Sequence, residues 1–174
     1  MPPKNFFDLD DADAQAFFAD YVSRAPARLE EFRAEVEASG GPSLDGSPES
    51  LVGLWRWFQA RPREAGGALP AWYEPDLPGA PGALAASTVR DVDGLALYFA
   101  EVLRRALPGF EWALGKLPKR KKYISQNKPV LQRDGVDIDP LQVAFVLAQR
   151  REIGRATEDD ALRSTFDAYA HPLG

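Results

Sequence analysis

Apolar residues recur at helical spacing along most of this 174-residue chain, but not between Phe110 and Ile138. Apart from a proline-rich stretch at 61–86, this is where the helical spacing fails, and it restricts the fold: a body of amphipathic helices must carry one small sheet. Phe110 to Leu114, Lys122 to Gln126 and Pro129 to Gln132 read as short strands, rich in aromatic and β-branched residues and separated by turn signals. Asp134-Gly135 is a hairpin signal, with Val136-Asp137-Ile138 as the return strand. The expected fold is α+β: one mostly helical domain over residues 1–174, with an antiparallel sheet of three or four strands at about 110–138 packed on helices.

The helical segments are punctuated by local signals. Asp8, Asp10 and Asp11 offer N-cap carboxylates, and Phe17/Tyr21 and Phe18/Val22 repeat at i,i+4, which predicts a helix from about Asp11 to Arg24. Pro26 is expected to end or kink it and to open a second helix, marked by Leu29, Phe32 and Val36 and stopped by Gly40-Gly41-Pro42. Ser47-Pro48-Glu49 starts a short helix with Leu51, Leu54, Trp55 and Phe58 on one face. Thr88 is the expected cap of a helix to Leu107 faced by Leu95, Phe99, Val102 and Leu103, and Pro108-Gly109 closes it. Asp139-Pro140 starts a helix so apolar on all sides that it is predicted to be central, and Thr157 is read as the cap of the last one. Phe17, Phe32, Trp55, Phe99 and Phe145 are the predicted core. Residues 61–86, with five prolines and several glycines, read as a long irregular loop pinned by Trp72, Tyr73 and Leu77.

Charge is distributed unevenly. Seven of the 21 basic residues lie between Lys116 and Arg133, a stretch without acidic residues, leaving 14 basic against 26 acidic residues elsewhere. The net charge of −5 argues against bulk, sequence-independent binding to DNA or to an anionic membrane. A local strip escapes that argument. Lys116, Lys119, Arg120, Lys121, Lys122, Tyr123, Lys128 and Arg133 are therefore the candidate partner-binding residues. The strip has three readings. It docks an acidic protein surface; it contacts nucleic acid, with Tyr123 stacking and Gln126 and Asn127 reading base edges; or its lysines guard exposed strand edges.

Tyr98-Phe99-Ala100-Glu101-Val102 lies late in a helix, Trp112 opens a strand, Pro129-Val130 lies in a later one, and Asp134-Gly135-Val136-Asp137-Ile138-Asp139-Pro140 leads into a helix. This layout, over residues 98–140, resembles small uncharacterised bacterial domains with a Glu-bearing helix, a Trp-bearing strand, a hairpin and a Pro-started helix. Those domains often have Gly before the Glu, where this chain has Ala100. Some occur near polymorphic toxin systems, so the resemblance implies a bacterial protein with an immunity-like role.

Other chemistry has little material. The chain lacks cysteine and has one histidine, His171, three residues from its end, which leaves no basis for zinc, thiol or Ser-His-Asp chemistry. Asp8, Asp10, Asp11 and Asp13 lack the glycine and glutamate of a calcium loop and read as helix caps. Asp134, Asp137 and Asp139 read as turn and cap residues, and Glu101 as one half of a salt bridge to Arg105. Glycine spacing fits neither a phosphate loop nor a dinucleotide fingerprint. The start lacks the pattern of a secretory signal, and no apolar run approaches bilayer length. The expectation is a cytoplasmic, non-catalytic protein-binding module with an acidic partner and neither cofactor nor metal. A nucleic-acid-binding accessory protein ranks second and a carboxylate-dependent enzyme third.

Overall fold

A computed structural model describes residues 6–73, 84–116, 125–155 and 158–171. Helix α1 spans Asp11–Ala38, α2 Ser50–Ala60, α3 Ala86–Ala106, α4 Pro140–Glu152 and α5 Ala161–Ala170. Strands β1 (Glu111–Leu114), β2 (Pro129–Arg133) and β3 (Val136–Ile138) form one antiparallel sheet in that order. The arrangement is α+β, with the sheet against α1 and with α3 packed on α1, α4 and α5. No helix among the described residues is long and apolar enough to cross a membrane.

Local chemistry sets several boundaries as expected. Asp10 caps α1, its Oδ1 accepting from the Asp13 N–H at 2.8 Å. At the other end Gly40 adopts φ +77°, and the N–H groups of Gly40 and Gly41 donate to Glu37 and Val36 carbonyls at 3.1 and 2.7 Å. This is a Schellman closure, which satisfies carbonyls the helix end leaves free. Asp134 and Gly135 both take positive φ, 50° and 79°, the pair that a two-residue type I′ hairpin requires. Asp139 Oδ1 accepts from the Gln142 N–H at 2.9 Å, with Pro140 at the first position of α4.

Several expectations need correction. Pro26 neither ends nor divides the first helix: α1 runs through it for 28 residues. The reason is tertiary. Ala14, Tyr21, Ala25, Phe32 and Val36 are the buried residues of α1, at alternating spacings of seven and four, so one stripe crosses the proline without losing phase. Burial of that stripe on both sides offsets the hydrogen bond that Pro26 cannot donate to Val22.

The central helix is α3, not α4. Fourteen of the 21 residues of α3 are buried, whereas Val143, Phe145 and Val146 of α4 are half-buried. Small residues let neighbours close on α3 from several sides: a Cβ on Gly94 would stand 2.0 Å from the Phe32 ring. Phe32, Trp55 and Phe99 lie in the core as expected, while Phe17 and Phe145 pack on its margin.

Ala85, not Thr88, precedes α3, and Thr88 is buried where Arg151 Nη2 donates to its hydroxyl at 3.2 Å. Ser125 and Gln126, expected at the end of a strand, lie in a turn; Lys122 to Ile124 fall outside the described residues, as do Thr157 and Leu77.

Within the irregular loop, which ends one residue early because Ala86 already belongs to α3, residues 61–73 form a strap along the first turns of that helix. It is held by more than aromatic anchors. Arg61 Nε meets Asp91 Oδ2 at 3.1 Å, Ser87 Oγ accepts from the Glu64 N–H at 2.8 Å, Arg90 donates to the Gly66 carbonyl at 3.0 Å, and Trp72 Nε1 donates to Asp93 Oδ1 at 2.7 Å. Burial raises the carboxyls of Asp91 and Asp93 above the ordinary value of 3.8, against the pull of Arg61 and Arg28. A raised folded-state value means stability that is full below 3.8 and lost as pH climbs through the folded value. Asp91→Asn should therefore gain on the parent chain as pH rises. Urea unfolding of both between about pH 3.5 and pH 7 checks this, and a pH-independent difference would contradict it.

Candidate partner-binding site

The cationic strip runs through the connection between β1 and β2 and on into β2, where Arg133 lies; the two strands pair antiparallel with Leu114 opposite Pro129. The base of this connection is closely tied. The Gly115 N–H donates to the Lys128 carbonyl and the Asn127 N–H to the Gly115 carbonyl, both at 2.8 Å. Only glycine fits at position 115, where a Cβ would come 2.3 Å from the Ser125 carbonyl oxygen. Asn127 takes φ +62°, a left-handed conformation that asparagine tolerates better than most residues. Its Nδ2 donates to the Phe6 and Leu9 carbonyls at 2.8 and 3.2 Å, fastening the turn before α1 to the hairpin. Ser125 Oγ donates to Asp139 Oδ2 at 2.7 Å in a buried contact, which joins the connection to the cap of α4.

The candidate residues divide into two groups. Lys116 is exposed and pairs with Asp11 Oδ1 at 2.8 Å. Such a surface pair contributes little and is readily exchanged. Lys128 is largely enclosed: its Nζ reaches Gln142 Oε1 at 3.1 Å and Asp139 Oδ2 at 3.6 Å, and lies 5.8 Å from the Phe6 ring centre. Arg133 donates to the Pro108 carbonyl at 3.0 Å and stacks 4.4 Å over Phe110. Lys128 and Arg133 thus serve the fold. Lys119, Arg120, Lys121, Lys122 and Tyr123 lie outside the described residues. Asn127, expected to read base edges, is buried and turned inward.

The other candidates resolve into structural roles. Glu101 is half-buried and pairs with Arg33, with Arg105 Nε at 3.9 Å; the long-range partner was not visible in the spacing. Glu101 and Glu111 line an open groove of about 690 Å³ between α1, α3 and β1, floored by Pro26, Leu97, Ala100 and Trp112. Arg104 holds Glu111 at 2.7 Å, so both carboxylates there have arginine partners. Asp137 Oδ1 accepts from Gln132 Nε2 at 2.9 Å, while Asp139 caps α4. Among the described residues no group of three or more His, Cys, Asp or Glu side chains is placed to hold a metal ion. His171 is exposed just after α5. Reading the sequence missed the Ser125–Asp139 lock. Its only advance sign was the glycine and asparagine on either side of the basic run.

No protein-family model, curated protein or solved structure matches this chain.

Proposed function

We propose that this chain is a non-catalytic protein-binding module, immunity-like in role and bacterial and cytoplasmic in setting, which takes an acidic partner on the β1–β2 connection. One observation carries the reading: seven basic and no acidic side chains lie between Lys116 and Arg133 in a chain of net charge −5. The four consecutive basic residues from Lys119 to Lys122 are costly to bury and would present charge to both faces of a strand. A connection tied at Gly115, Ser125 and Asn127 supports the reading further, because a fixed base lowers the ordering cost when a partner docks. The likeness of residues 98–140 to domains near toxin systems gives the partner its class.

The test replaces Lys119, Arg120, Lys121 and Lys122 together with serine. Stability should change by less than about 0.5 kcal/mol. Affinity for an acidic partner captured by pull-down should fall at least about tenfold at low ionic strength and less at high, since salt screens the lost attraction. A variant that unfolds, with partner binding per folded molecule unaltered, would make the strip structural. An oligonucleotide that binds with a steep salt slope, where no acidic protein does, would put the nucleic-acid reading in its place.

A further inference from the structure

We propose that β1 accepts an extended segment of a partner protein as a fourth strand of the sheet, with apolar side chains of that segment in the groove beside α1 and α3. This rests on the reading of the cationic connection as the seat of an acidic partner, and adds how that partner is held. The free edge follows from the alternation of an antiparallel pair, in which successive residues turn their N–H and C=O to opposite sides. The Gly115 N–H donates to the Lys128 carbonyl at 2.8 Å, so Gly115 faces β2, and with it Ala113 and Glu111. Pro129, opposite Leu114, has no N–H to give, which agrees with that phase. Arg133 and Val136 flank the two-residue turn, so Leu131 and Arg133 face β3 and leave Val130 and Gln132 to β1. Trp112 and Leu114 therefore point their backbone groups out of the sheet, and among the described residues no hydrogen bond satisfies them.

That outer edge opens on the groove of about 690 Å³ between α1, α3 and β1, which Glu111 and Trp112 line from the sheet side. Arg104 fixes the orientation. It lines the groove, and its Nε donates at 3.3 Å to the carbonyl of Phe110, the residue that precedes the strand and turns outward in the same phase. The apolar walls are Val22, Pro26 and Leu29 on α1 and Leu97 and Ala100 on α3. From Val22 to Leu29 the helix rises about 10 Å, the length of about three residues of strand. A free bonding row beside an apolar groove is what strand addition uses: main-chain bonds give affinity, and alternate side chains give specificity. Charge selects the flanks. Arg104 and Arg105 stand at the Glu111 end of the edge and Lys116 leads into the basic run at the other, while Glu101 and Glu111 are already held by arginines. The occupant is therefore an extended segment with apolar residues at alternate positions and acidic residues at its ends.

The probe is the capped peptide acetyl-Asp-Val-Thr-Val-Thr-Val-Asp-amide, titrated into the full chain and followed by NMR. It should bind with a Kd of about 0.1–1 mM, and at saturation the Trp112 and Leu114 amides should exchange with solvent about tenfold more slowly. The same peptide N-methylated at two adjacent central residues keeps its charge and side chains but loses central donors in either register. It should bind at least about tenfold more weakly. Leu114→Pro removes an outward N–H, which an edge strand tolerates, and should bring the two peptides within about twofold of each other. Should that variant not fold, the parent chain's preference for the unmethylated peptide decides. Replacing Lys119, Arg120, Lys121 and Lys122 with serine separates the two readings. It should weaken both peptides alike and leave the preference intact; if it weakens neither, the cationic reading fails and the pairing stands. Equal binding of the two peptides to the parent chain, no slowing of the Trp112 and Leu114 amides, a full preference retained by folded Leu114→Pro, or no binding up to about 10 mM overturns the pairing.

Discussion

Replacing Trp55 with alanine should lower the unfolding free energy by about 3–5 kcal/mol. The indole is fully buried in α2 and stacks on Phe58 with ring centres 5.2 Å apart. Its Nε1 donates to the Glu158 carbonyl at 3.1 Å, which draws the segment before α5 onto α2. Truncation thus opens a cavity in the core and leaves that carbonyl with the Ala161 N–H, at 3.1 Å, in place of two donors. Small domains are stable by about 5–15 kcal/mol, so the variant should melt far below the parent chain. Trp55→Phe separates the two effects. It restores most of the ring volume and not the N–H, so it should cost about 1–2 kcal/mol. Equilibrium denaturation measures both, and a loss under about 1 kcal/mol for the alanine variant would contradict the burial.

The parts of this fold that were legible in advance are those governed by neighbouring residues. Asp134-Gly135 announced its hairpin because two consecutive positive φ angles are a local demand. Asp139-Pro140 and Gly40-Gly41 marked helix ends for the same reason. Pro26 misled because the local rule is real but was outweighed by a stripe whose phase, from Ala14 to Val36, is readable only when both halves are taken together. The rank of α3 over α4 was hidden for a different reason. Apolar content says that a helix can be buried, not which of two is surrounded, and Gly94 under Phe32 is a pairwise fact. At the candidate site the charge was plain and the anchoring was not. Lys128 and Arg133 count as cations in any sequence tally, yet only folding brings Asp139 to the first and Phe110 to the second.

Arg151 is the strongest case of a residue whose role sequence reading cannot supply, and its loss should rank with that of Trp55. In the sequence it is one of two arginines ending an apolar helix, where a basic residue complements the helix dipole. In the fold it is 9% exposed and joins three helices. Nη1 donates to the Phe58 carbonyl at 2.6 Å, in the last turn of α2, and Nη2 to Thr88 Oγ1 at 3.2 Å, in the first turn of α3. The guanidinium also lies 4.3 Å over the Phe58 ring and pairs with Glu152 at 2.7 Å. Arg151→Met keeps the apolar stem but leaves the Glu152 carboxylate, itself 11% exposed, with Arg63 at 3.1 Å as its remaining cation. Breaking a buried pair on one side costs about 3–5 kcal/mol, largely because the other charge stays behind. Adding Glu152→Gln removes that charge and should recover part of the loss in urea unfolding. Lysine at 151 should not rescue, since one ammonium cannot reproduce the flat fork that serves Phe58, Thr88 and Glu152 together. If Arg151→Met is as stable as the parent chain, or Glu152→Gln deepens its loss, the arginine is not the clasp between α2, α3 and α4.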